Sequence, residues 1–246
     1  MRTNRSQRNH DRSIDLGLDK IGLSVFLYAY AVLLGACYLF AFWRPFGFNV
    51  FPYLGVHDYV SAPLNRVIVL VAVPLVFAVI FAAEARTEDR KFRRNVAIYL
   101  VLLYGISFVK DFYQAVSRYQ STSFHFANEI SVLFIAALLF AVGAGIALYS
   151  YRALAGLPAQ VVALVLVQSS VSMAAGYSDG KAVYNGAVEV HFLENKDICE
   201  PGGVRDWVLL GAFGGQTFFM NTIDKRMCLT DQKNFRLVSR QVREGF

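Results

Sequence analysis

The chain has 246 residues, 56% of them apolar and 17% charged, whereas soluble domains average ~45–50% apolar and about 25% charged. That balance excludes a disordered or strongly charged chain and points to a membrane protein. The net charge of +6 gathers at a few places; it reads as a topology signal rather than a nucleic-acid footprint, and no nucleic-acid partner is expected.

Residues 1–20 form a polar, basic tail with Arg2, Arg5, Arg8, Arg12 and Lys20. Four apolar stretches follow, 21–43, 67–83, 96–116 and 130–151. A spanning helix needs about 20 mostly apolar residues to cross ~30 Å of hydrocarbon, and each stretch approaches or meets that length. Segment 21–43 reads as a retained signal anchor. It exceeds the ~7–15 residues of a cleaved signal core, and the apolar run continues to Trp43 before Arg44 and Pro45. Ala31 and Gly35 recur within it at the four-residue spacing of close helix contacts.

The 44–65 loop carries only Arg44 and Asp58 as charges, and is rich in rings: Phe46, Phe48, Phe51, Tyr53 and Tyr59. It reads as an interfacial loop, pinned by aromatics or shallowly re-entrant, with a ligand or partner contact as the alternative. Pro74 should kink the 67–83 span. The 84–94 loop packs Arg86, Arg90, Lys91, Arg93 and Arg94 together, whereas 117–129 is nearly neutral. Basic short loops stay cytoplasmic, so the N-terminus and 84–94 are expected inside, with 44–65 and 117–129 outside.

Ionisable residues in a span are functional candidates. Lys110 and Asp111 stand about 22–24 Å along the 96–116 helix, near the outer edge of the hydrocarbon. They either end the span as an interfacial pair or line an outer mouth with Glu129. With Arg44 and Asp58 they make up the candidate polar cluster. Along 130–151, Ala137, Ala141 and Gly145 recur every four residues and offer a second helix-packing face.

Segment 157–175, LPAQVVALVLVQSSVSMAA, has no charge but is only borderline apolar. A fifth spanning helix competes with a buried strand that opens a cytoplasmic domain. Gln168, Ser169, Ser170 and Ser172 suit a core strand poorly and suit a helix, where hydroxyls bond the preceding turn. The helix is therefore preferred, which places the tail outside. From 176 onward, alternating and β-branched runs (187–193, 207–213, 216–223, 234–239) are broken by Gly214–Gly215 and Asp224–Lys225. These predict a small domain of four or five antiparallel strands. With the tail outside, Cys199 and Cys228 can form a bridge closing about 30 residues, worth a few kcal/mol. Cys37 reads as a packing residue.

No phosphate-binding, zinc-protease, redox or nucleophile-elbow motif is present. With His10, His57, His125 and His191 scattered, neither a metal nor a cofactor is expected. The expected fold is an all-α polytopic membrane helix bundle of four to five spanning helices with a small C-terminal β-rich domain, divided as 1–20, 21–175 and 176–246. This layout resembles that of small bacterial inner-membrane proteins with a few helices and a compact β-rich tail. Some of those serve as immunity, stress or phage-defence accessory subunits; the resemblance implies architecture and no site. The expected function is a non-enzymatic, multi-pass inner-membrane scaffold or sensor with a cytoplasmic N-terminus. It would associate with copies of itself in the bilayer and present the β-rich domain to a protein partner. An oligomeric ion channel or pore, and a membrane enzyme acting on lipid, are the alternatives.

Overall fold

A computed structural model describes residues 20–61, 126–153, 157–186, 189–194, 198–199, 206–231 and 236–241, with Leu102, Gly105, Ile106, Phe108, Val109, Lys110, Phe112 and Tyr113. The expected features at 1–19, the 67–83 span with Pro74, the basic 84–94 loop and Asp111 lie outside the described residues.

Helix α1 (Lys20–Trp43) is apolar beyond its first residue. It stops where Pro45 removes a backbone donor, and the chain passes into a 3-10 turn, Arg44–Phe46. A second such turn, Phe51–Tyr53, leads to the short α2 (Val56–Ser61). The described residues between 102 and 113 are helical. Two long helices follow, α3 (Phe126–Ala153) and α4 (Leu157–Tyr184).

The contacts fix how these helices run. Leu34, Tyr38 and Phe42 of α1 meet Ser172, Gly176 and Gly180 of α4 in ascending order, so the two helices are parallel. Helix α3 returns antiparallel to α4 and brings Gly143 against Ala163, Leu166 and Val167. Between α3 and α4 lies a core of Val132, Ala136, Val167, Val171, Ala174 and Tyr177. Phe108 joins it, stacked on Phe140 with ring centroids 4.7 Å apart.

The expected bundle of four to five spanning helices needs correction. Among the described residues, two helices are long and apolar enough to cross a bilayer, Val25–Phe46 and Val161–Tyr184. In α3 the apolar helix found among the described residues is the shorter Val132–Ala147. The β-rich part expected at the C-terminus is an antiparallel sheet of five strands, β1 (Glu189–Leu193), β2 (Trp207–Phe213), β3 (Gln216–Asn221), β4 (Met227–Thr230) and β5 (Leu237–Gln241), in the order β4-β3-β2-β1-β5. This sheet is built onto the helices. Segment 157–175 is helical, and α4 continues through Asp179 and Lys181 to Tyr184.

Both faces of the sheet are covered at its centre. On one, Phe218, Leu210, Phe213, Met227 and Leu229 pack with Leu39, Trp43, Val50 and the rings of the 46–59 segment. On the other, Leu193, Trp207, Leu209 and Phe219 pack under Ile198 and Cys199 of the β1–β2 connection. A bulge between Leu209 and Gly211 in β2 re-aims the side chains that follow it. Consequently β3, from Thr217 to Asn221, is buried along its length.

Candidate functional site

The most closely built part of the molecule is the seam between α1 and α4. Ser172, Gly176 and Gly180 stand four residues apart and so share one face of α4. The Ser172 hydroxyl donates to the Leu34 carbonyl at 2.8 Å. A Cβ on Gly176 would run into the Tyr38 carbonyl, and one on Gly180 into that of Phe42. Backbone thus lies on backbone for two helical turns, which only small residues permit. Near the upper end, the Tyr38 hydroxyl donates to Asp179 at 3.0 Å. Gln168, Ser169, Ser170, Ser172, Ser178 and Lys181 are all buried along α4. Ser170 donates to the Val167 carbonyl at 2.6 Å, within its own helix.

Three contacts fasten the sheet to this seam. Trp43, 2% exposed, sits in the ring cluster with its centroid 5.4 Å from Phe218 and 6.0 Å from Phe213. At the β2–β3 turn, the Gly214 N–H donates to Asp58 Oδ2 at 3.1 Å, and Gly55 donates to the same oxygen at 2.7 Å. Gly214 has φ +57°, and a Cβ there would strike the Tyr53 carbonyl, so two constraints require glycine. At the β3–β4 turn, Lys225 Nζ donates to the carbonyl of Tyr184, the last residue of α4, at 2.9 Å and lies 4.9 Å from its ring centre. A cation there meets the negative end of the helix dipole. Burial pushes the Lys225 ammonium below its ordinary value. The turn itself is closed by Asn221, whose Oδ1 accepts from Ile223 at 2.9 Å.

The residues expected to form one polar cluster are dispersed in role. Asp58 is the bridge to Gly214. Arg44 lies 6.0 Å over the Phe40 ring. Lys110 is exposed on its helix, and the side chain of Glu129, like Asp111, lies outside the described residues. Of the small residues, Gly35 is in tight contact with the Tyr59 carbonyl, and Ala31 is half-buried. Ala137 is partly packed on the α3–α4 core, whereas Ala141 is exposed and Gly145 faces open space. Cys199 and Cys228 are bridged, with an S–S distance of 2.09 Å, and pin the β1–β2 connection across the sheet to β4. Cys37 is a free thiol. Among the described residues no group of His, Cys, Asp and Glu could hold a metal ion.

Gly176, Gly180, Asp179 and Lys181 are absent from the sequence-based candidates. Their signal was present, because Ser172, Gly176 and Gly180 repeat the same four-residue spacing as Ala137, Ala141 and Gly145. The change to a polar composition at 176 hid it by suggesting that the helix had ended. Comparison with family models, with curated proteins and with solved structures finds no match for the chain.

Proposed function

We propose that the protein is a non-enzymatic inner-membrane scaffold or sensor subunit whose helices sit in lipid and hold the β-sheet at the extracytoplasmic surface for a protein partner. The observation that carries this reading is the inverted arrangement of the helices. Large apolar side chains face outward: Val25 and Tyr28 on α1, Phe134 and Leu138 on α3, and Ile106 and Val109 between 102 and 113. The polar side chains of α4 are turned inward onto its neighbours. Water would penalise that distribution heavily, and hydrocarbon favours it.

Three further features support the direction of insertion. A parallel α1–α4 pair delivers the sheet and the 44–61 segment to the same side as the end of α1. The basic 84–94 loop favours the opposite, cytoplasmic side. A disulfide on the sheet suits an oxidising compartment. Ser172, Gly176 and Gly180 of α4 are engaged by α1, which favours a fixed support over a pore. Self-association would use the outward Ala141 and Gly145 face of α3.

Alkaline carbonate extraction of membranes from expressing cells tests the reading. The protein should stay in the pellet and enter solution only with detergent. Release by carbonate alone would refute it.

A further inference from the structure

Residues 51–61 do not rise away from the end of α1; they fold back along it. The Tyr59 carbonyl lies against Gly35. Residues 35 and 43 are separated by about 12 Å of helix axis, so α2 rests well below the point where α1 ends at Trp43. Phe26, Leu33 and Phe40 recur every seven residues and therefore share one face of α1. All three are exposed, at 45%, 43% and 36%. This apolar stripe runs into the returning segment, because the Phe40 ring lies 6.3 Å from that of Phe51, which in turn stacks on Tyr59 at 6.3 Å. Pro52, Val56 and His57 are exposed on the segment, Val56 at 57%.

The backbone of the segment is suited to a place with little water. Outside a regular helix, polar groups at membrane depth must find partners within the protein. Here Tyr53 donates to Val50, Leu54 to Phe51 and Asp58 to Gly55. The Phe51 N–H is taken by Asn49 Oδ1 at 3.2 Å and that of Gly55 by Asp58 Oδ2.

The geometry points to residues 51–61 as an interfacial segment that dips into the outer leaflet beside α1, with Pro52 and Val56 against lipid. Through Asp58 it holds the β2–β3 turn, so the level of the bilayer surface sets the level of the sheet. This rests on the membrane reading above, and the test separates the two.

Nitroxide labels placed at Val56→Cys, Phe134→Cys and His191→Cys, each in a Cys37→Ala background, report depth when the protein is in vesicles of phosphatidylethanolamine and phosphatidylglycerol. Oxygen collides more often with labels in lipid, and a water-soluble nickel chelate with labels in water. Val56 should show an oxygen-to-nickel ratio between that of Phe134, on the outward face of α3, and that of His191, exposed on β1. A ratio at Val56 equal to that at His191, with Phe134 oxygen-dominated, overturns the interfacial segment and leaves the membrane reading standing. Nickel-dominated collisions at Phe134 as well would overturn both.

Discussion

Two rows of small residues lie on neighbouring helices at the same spacing, and the protein uses them differently. Ser172, Gly176 and Gly180 on α4 receive the carbonyls of Leu34, Tyr38 and Phe42. On α3, Ala141 is exposed and Gly145 has open space where a side chain would stand. Spacing alone therefore says that a helix can be approached closely, not that it is. What distinguishes the α4 row is a parallel partner whose carbonyls arrive at the same four-residue interval. Between α3 and α4 themselves, a Cβ on Gly143 would meet Val167 Cγ2 at 2.9 Å, and the Ala163 carbonyl and Leu166 Cβ each at 3.0 Å.

The largest effect should come from breaking the α4 row. Gly180→Leu forces a side chain into the Phe42 carbonyl, a backbone atom that cannot swing away. Overpacking a core usually costs ~1–3 kcal/mol, and this substitution should reach the top of that range or exceed it. Denaturant unfolding in detergent would show loss of the folded species or a strongly lowered midpoint. A near-native midpoint would mean that α1 and α4 are not in backbone contact.

Next in size is the staple on the far side of the sheet. Replacing Cys199 and Cys228 together by Ala frees the connection that covers Trp207 and Phe219. For a loop of 29 residues the chain-entropy estimate gives about 3–4 kcal/mol. Limited proteolysis should then cut first between β1 and β2 while the helices stay intact. Simultaneous loss of helix protection would show that sheet and helices unfold as one unit.

Asp58→Ala removes the shared acceptor of Gly55 and Gly214. Because Asp58 is only half-buried, the expected cost is ~1 kcal/mol. Amide exchange at Gly214 should accelerate, with little change in α4. The smallest effect on folding belongs to Gly145→Leu, whose new side chain meets nothing within the subunit. Its stability should stay within ~0.5 kcal/mol of the parent, as for surface substitutions. Native-state sizing should shift to smaller species if copies associate through this face. A large loss of stability would contradict its outward orientation.

The strands are legible in the sequence because their signals are local. Period-two alternation marks 187–193, and Gly214–Gly215 marks a turn between two β-rich runs. The helical state of 157–175 is legible from Gln168 and its serines, which a strand core would leave unpaired. The number of crossings is not legible: apolar length alone does not separate a span from a packed helix, and among the described residues two helices are long and apolar enough to cross, Val25–Phe46 and Val161–Tyr184. The role of the 44–65 rings is only half legible. Their abundance signals burial or an interface, but the partner, Phe213 and Phe218 of the sheet, lies far away in sequence. Asp58 is a similar case. It stands out as a charge in an aromatic loop, yet its acceptor role depends on Gly214, and no local pattern reveals that.

Thiol trapping of Cys199 and Cys228 in spheroplasts tests the proposal that membrane helices carry the sheet on the extracytoplasmic side. In a Cys37→Ala background, a membrane-impermeant maleimide should leave the protein unlabelled. After mild reduction with a likewise impermeant phosphine, both thiols should become labelled on intact spheroplasts, with the protein in the membrane fraction. Thiols that react only after the cells are lysed, without any reductant, would place the sheet in the cytoplasm and contradict the claim.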